Sequence, residues 1–80
     1  MPKPISSEIK KTIGERLKRL LDREDVSQQK LADDLSVRIT TINRIVKGTG
    51  APGMDLLVAI ADYFEVSIDY LTGRKNEKII

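Results

Sequence analysis

The sequence has 80 residues, 40% hydrophobic and 32% charged, which predicts one soluble domain over 1–80, with no second core and little capacity to wall off a deep substrate pocket. It contains no Cys and no His, which removes disulfides, zinc sites, thiol nucleophiles and the usual general base; no enzyme, metal or cofactor is expected. The net charge of +2 is unevenly spread, with 11 Lys/Arg against 7 Asp/Glu in residues 1–50 and 3 against 5 in residues 51–80, a hint of a polyanionic partner too small to decide anything alone.

Apolar residues recur at helical spacing throughout, and no strand pattern competes. Ile9, Ile13, Leu17, Leu20 and Leu21 form a stripe at i, i+4, i+8, i+11 and i+12, predicting a first helix over about 7–24. Ser6 or Ser7 can cap it, while Thr12 with Glu15 fits a capping box that would start it one turn later. Val26, Val37 and Val66 each precede a candidate N-cap (Ser27, Arg38, Ser67), and each has an apolar residue five positions on, at Leu31, Ile42 and Leu71. That is hydrophobic-staple spacing, so three helix starts follow, the one at Arg38 poorly capped. Gly48 suits a left-handed helix end, and residues 49–53 read as a loop. A fourth helix is predicted over about 54–64 with Leu57, Ile60, Ala61 and Phe64 inward, and a short fifth from Ile68 to about Leu71, before Gly73. The domain core spans about 7–73, with 74–80 a frayed tail. The longest apolar run, 56–61, is far short of the roughly 20 residues of a membrane span, and MPKPISSE lacks the apolar stretch of a signal peptide, so the expected location is the cytoplasm.

The informative stretch is QQKLADDLSVRITTINRIVK, residues 28–47. Leu31, Leu35, Val37, Ile42 and Ile45 are placed as two short helices crossing steeply around a tight turn require, with the small Ala32 where the helices come close. This is a helix-turn-helix pattern, whose second helix enters the DNA major groove; an ordinary helical hairpin needs the apolar positions but neither the small residue nor the short turn.

From Ile13 to Gly73 the chain resembles the phage repressor and Cro type of helix-turn-helix, the XRE family. IGERLKRLL, VSQQKLADDLSV, TTINRIVKG, the proline four residues after Gly48, and LLVAIADYFEVSIDYLTG agree with it in order and spacing. The resemblance implies an all-α, lambda-repressor-like five-helix bundle that binds operator DNA as a dimer and regulates transcription. Four positions depart from the family's pattern. Ser36 stands where Gly is usual in the turn, Arg38 where Ser or Thr caps, Glu65 where Gly ends the fourth helix, and Val46 where Glu is common. A non-glycine residue in left-handed conformation costs about 1 kcal/mol or somewhat more, which folding can absorb.

Matched position by position, Arg38, Ile39, Thr40, Thr41, Asn43 and Arg44 are the expected base-readers. Arg44 suits guanine O6 and N7, Asn43 adenine if it faces the groove, and Ile39 or Thr40 a thymine methyl. Ser27, Gln28 and Lys47, with Thr49 and the Gly50 amide as weaker candidates, are expected on phosphates, Gln28 because it opens a helix whose N-terminal amides and dipole suit an anion; Ser27 serves equally as a simple cap. Several other signals are set aside. The glycines at 48, 50 and 53 spell GxGxxG but follow a helix, not a strand. Ser27 and Lys30 spell SxxK, better read as a cap and an exposed lysine. Asp33 and Asp34 diverge by about 100° on a helix and read as solubilising, and Tyr63, Phe64 and Tyr70 form no basic stacking platform.

The function expected is therefore a double-stranded DNA-binding transcriptional regulator, a repressor on a palindromic operator. Its homodimer is expected through residues 68–80, with Tyr70, Ile79 and Ile80 as interface residues. The alternative is a protein-interaction module on the same fold, such as an antitoxin or partner-binding subunit, signalled by an apolar or acidic recognition helix.

Overall fold

A computed structural model of the chain describes residues 7–74. Five helices follow in order: α1 (Ser7–Glu24), α2 (Gln28–Asp34), α3 (Ile39–Lys47), α4 (Met54–Phe64) and α5 (Ile68–Thr72). The described residues contain no strand. α1 runs unbroken from Ser7, so the later start at Thr12 is not used; the candidate cap Ser6 lies outside the described residues.

All five helices end the same way. A backbone N–H five residues on returns to a carbonyl of the last turn: Val26 to Leu21 (2.9 Å), Val37 to Ala32 (2.9 Å), Thr49 to Arg44 (3.0 Å), Val66 to Ala61 (2.9 Å) and Arg74 to Asp69 (2.8 Å). The residue before each donor is left-handed: Asp25, Ser36, Gly48, Glu65 and Gly73, with φ of 54°, 56°, 79°, 55° and 86°. This is the Schellman closure, which satisfies carbonyls that a helix end would otherwise orphan. Three of the five left-handed residues carry a side chain; Ser36 and Glu65 stand where the family favours Gly, and Asp25 is a third such site that the sequence did not reveal.

The same three valines then start the next helices. Val26, Val37 and Val66 each donate the closing bond of one helix and sit just before the N-cap of the next, and their staple partners Leu31, Ile42 and Leu71 are fully buried. Ser27 Oγ accepts from the Lys30 N–H and Ser67 Oγ from the Tyr70 N–H, both at 3.0 Å. Arg38 makes no side-chain cap bond, as its residue type implies. Residues 25–27, 36–38 and 65–67 are thus one three-residue connector used three times.

The core gathers Ile13, Leu17, Leu20 and Leu21 of α1, Leu31 and Ala32 of α2, Ile42 and Ile45 of α3, Ile60, Ala61 and Phe64 of α4, and Val66, Tyr70 and Leu71. Leu35, Val37 and Leu57 are half-buried against it. Ile9, expected on the inner stripe of α1, is instead 46% exposed, because the stripe meets its partners only from Ile13 onward. Tyr70, expected at a dimer face, is buried in the core with the Arg16 guanidinium 4.6 Å over its ring, so it presents no surface to a second copy.

α3 is packed chiefly on α1. Gly14 permits the crossing, since a Cβ there would strike the Ile45 carbonyl oxygen, lie 2.8 Å from the Val46 carbonyl oxygen and 3.2 Å from the Gly48 nitrogen. Beside it, α5 closes on α1 where Gly73 faces the Thr12 methyl.

Candidate nucleic-acid interface

The placement of α3 follows from helix periodicity. Ile42 and Ile45 lie three residues apart on one face and are buried at 0% and 2%. The opposite face therefore carries Thr40, Arg44 and Lys47, all exposed, with Ile39 36% exposed at the first turn and Arg38 exposed just before it. Thr41 and Asn43 flank this row and are half-buried.

Charge on this face is of one sign. Residues 35–54 contain Arg38, Arg44 and Lys47 and no Asp or Glu. None of the three is in an ion pair among the described residues, whereas Lys30 is held by Asp34 at 3.1 Å and Arg74 by Asp69 at 4.0 Å. Arg38, Arg44 and Lys47 thus remain uncompensated among the described residues.

One side-chain hydrogen bond joins the two helices of the motif. Asn43 Nδ2 donates to Gln28 Oε1 at 3.2 Å, tying the first residue of α2 to the flank of α3. With its Oε1 so used, Gln28 keeps its amide N–H groups for an acceptor outside, while Asn43 keeps its carbonyl oxygen and one N–H. This link was not visible in sequence, where the two residues appear in separate groups, 15 positions apart.

The remaining phosphate candidates divide. Ser27 Oγ is an acceptor in the α2 cap, which leaves its own proton free to donate. The Gly50 N–H is already given to the Arg44 carbonyl at 3.1 Å, and the Thr49 hydroxyl to the same oxygen at 3.3 Å. Both groups close the end of α3, so neither is spare for a phosphate in this conformation. Gly50 also lies against Arg44, with a Cβ there 3.1 Å from the Arg44 Cβ, and this packing holds the base of the arginine at the rim of a shallow cleft formed with Thr41, Pro52 and Leu56.

A second cluster braces the motif from behind. Tyr63 of α4 donates its hydroxyl proton to Asp34 Oδ2 at 2.6 Å, and Lys30 reaches the same oxygen. The Tyr63 hydroxyl, and after it Lys30, hold the Asp34 carboxyl below its ordinary pKa. The bond to Asp34 raises the tyrosine and the lysine above theirs. Asp33 accepts from Gln29 Nε2 at 2.9 Å. Asp34 is therefore more than the solubilising residue that sequence suggests, and only the fold brings Tyr63 to it.

The Helix-turn-helix family model matches residues 17–71. Three curated relatives are similar to this chain. The cryptic phage CTXphi transcriptional repressor RstR of Vibrio cholerae is 39% identical over 62 residues, covering 78% of this chain and 55% of that protein. The HTH-type transcriptional activator BcrR of Enterococcus faecalis is 37% identical over 58 residues, covering 72% and 28%. The uncharacterized HTH-type transcriptional regulator YqaE of Bacillus subtilis is 32% identical over 67 residues, covering 82% and 58%. The chain thus spans 28–58% of the length of these relatives. No solved structure matches it. Five helices with one connector repeated at three of their junctions, a solvent-facing cationic α3 and a family match over most of the chain agree: the chain belongs to the XRE-type helix-turn-helix family.

Proposed function

We propose that the chain is a sequence-specific, double-stranded DNA-binding transcriptional regulator that represses by occupying an operator, with α3 in the major groove. The observation that carries this reading is the charge at α3: Arg38 at its N-cap and Arg44 and Lys47 on its exposed face, in no ion pair among the described residues, with no carboxylate over residues 35–54 and the other face of the helix buried. A positive strip of helix width fits a phosphate-lined groove. The relative named as a phage repressor supports the regulatory sense. A protein partner on α3 would want an apolar or acidic surface, and the one exposed apolar residue of α3 is Ile39.

Arg44 reads guanine, Ile39 and Thr40 meet thymine methyls, and Arg38 and Thr41 complete the base-reading row. Asn43 reads from the flank, held by Gln28. Lys47, Gln28 and Ser27 take phosphates; Thr49 and Gly50 close the helix that carries Lys47. A homodimer on a palindromic operator would form through α5 and the tail. Ile68 contributes there, as it lines with Val58 and Ala61 an apolar groove of about 320 Å³ between α4 and α5; Ile79 and Ile80 lie outside the described residues. Among the described residues no helix is long and apolar enough to cross a membrane, and the site of action would be the cytoplasm, on nucleoid DNA.

Selection of bound duplexes from a random pool tests the reading. The expected result is an enriched palindrome with half-sites about 10 to 10.5 base pairs apart. Arg44→Ala should then cost about 1–3 kcal/mol and relax preference at one base pair per half-site. Absence of any enriched motif would refute sequence-specific binding, and a loss equal on all sequences would move Arg44 from base to phosphate.

A further inference from the structure

The end of α3 abuts α1, and α1 brings a lysine that belongs to none of the groups above. Gly14 lets the two backbones meet. One turn earlier on the same face, Lys11 lies over Gly48, with its Cα 3.3 Å and its Cγ 3.4 Å from the position a Gly48 Cβ would take. Lys11 therefore packs on Gly48, the residue that follows Lys47, although 36 positions separate the two lysines in sequence.

A lysine in such a place has two ordinary uses. A cation at a helix C-terminus often serves the unsatisfied carbonyls. Here Lys11 makes no hydrogen bond to an α3 carbonyl among the described residues, and those of Arg44 and Ile45 already accept from Thr49, Gly50 and Gly48. An ion pair is the other use, and Lys11 has none among the described residues; it is exposed. Its Cβ and Cγ cover Gly48, and the exposed side chain carries its ammonium into solvent at the end of the helix that bears Lys47.

We infer that α1 is part of the DNA interface, with Lys11 holding a backbone phosphate next to the one that Lys47 holds. The inference rests on the DNA-binding reading and extends the binding surface beyond the helix-turn-helix to the helix that packs behind it. Phosphate contacts fix register and orientation without reading bases, so Lys11 sets how far along the strand α3 is seated and adds to affinity on every sequence.

The test measures binding of the full chain to its selected duplex and to a scrambled duplex across salt concentrations, for wild type, Lys11→Gln, Lys11→Arg, Lys47→Gln and the double Gln variant. Each phosphate that the protein no longer neutralises should reduce the slope of log affinity against log salt by about 0.9. Between 50 and 200 mM salt, Lys11→Gln should therefore lose about 3.5-fold less affinity than wild type does, equally on both duplexes. Lys11→Arg should restore the slope, and the double variant should show about twice the reduction. Lys30→Gln, whose ammonium is already paired with Asp34, should leave the slope unchanged. A wild-type slope for Lys11→Gln alongside a reduced slope for Lys47→Gln overturns the role of α1 and leaves the DNA reading standing. Failure of the wild-type chain to bind either duplex defeats both. Circular dichroism of each variant distinguishes a weakened interface from a failure to fold.

Discussion

Replacing Gly14 with alanine sets two effects of opposite sign against each other. In an exposed helix interior this change gains about 1 kcal/mol of propensity. Gly14 is buried, and the added methyl would meet backbone atoms rather than yielding side chains: the Ile45 carbonyl oxygen, the Val46 carbonyl oxygen at 2.8 Å and the Gly48 nitrogen at 3.2 Å. Ordinary van der Waals separation begins near 3.4 Å, so α1 and α3 must part by at least 3.4 − 2.8, or about 0.6 Å. A gap of that size forfeits roughly a quarter or more of the dispersion energy across the crossing. For a buried leucine-sized side chain that energy is a gross of about 4–12 kcal/mol, so a quarter of it is about 1–3 kcal/mol per side chain. More than one core residue bears on the crossing, so the penalty exceeds the propensity gain and leaves a net destabilisation of about 2 kcal/mol, within the usual range for overpacking. Urea unfolding followed by circular dichroism measures this directly, and in a thermal scan the midpoint should fall by about 8–16 °C. Gly53→Ala is the internal comparison, because nothing lies within 4 Å of its added Cβ; it should cost under about 1 kcal/mol. A Gly14→Ala protein as stable as wild type would refute the tight crossing, and with it the argument that α1 sets the position of α3.

Two further outcomes follow from local geometry. Ser36→Gly and Glu65→Gly relieve left-handed residues at φ of 56° and 55°; relief of about 1–2 kcal/mol less the entropy cost of glycine, about 0.5–1 kcal/mol, leaves a gain of up to about 1.5 kcal/mol each. Asp25→Gly should gain less, since Asp tolerates this region better, and urea midpoints of the three variants give the ranking. Asp34 has its pKa lowered in the fold by Tyr63 and Lys30, so its contribution is present above the ordinary carboxylate value and lost as pH falls through the lowered one. Tyr63 and Lys30 have theirs raised, so their contributions hold below their ordinary values and are lost as pH rises through the raised ones. Wild type should exceed Asp34→Asn in unfolding midpoint at neutral pH, begin to converge on it below about pH 4, and meet it only once pH has fallen through the lowered value; a difference that did not shrink at all below about pH 4 would exclude the ionised bond.

What could be read from the sequence was local. The starts at Ser27, Arg38 and Ser67 and the ends at Gly48 and Gly73 rest on residues within six positions of one another, and periodicity alone placed Ile42 and Ile45 inside. The rest depends on which helices meet. Gly14 looks like an ordinary interruption of α1 until α3 is laid across it. Tyr63 and Asp34 are 29 positions apart, Gln28 and Asn43 are 15, and Lys11 is distant from Lys47, so no spacing rule joins them. Ile9 and Tyr70 show the converse: Ile9 has the right periodicity but stays exposed among the described residues, while the fifth helix turns Tyr70 inward beneath Arg16.

The repeated connector also separates what folds the chain from what would read DNA. The turn between α2 and α3 has the same build as those between α1 and α2 and between α4 and α5: a left-handed residue, a valine that closes one helix and staples the next, and an N-cap. A feature used three times in one domain cannot by itself mark a recognition helix. What distinguishes α3 is the surface it leaves uncovered, with Arg44 and Lys47 outward and no carboxylate from Leu35 to Met54. Stability and sequence preference should therefore respond to different residues. Ser36→Gly changes the unfolding midpoint and leaves the selected operator unchanged, whereas Arg44→Ala, on an exposed side chain, alters the selected base and leaves stability within about 0.5 kcal/mol of wild type. A shift in operator preference caused by Ser36→Gly would mean that the turn itself steers α3, and the division between scaffold and reading face would have to be redrawn.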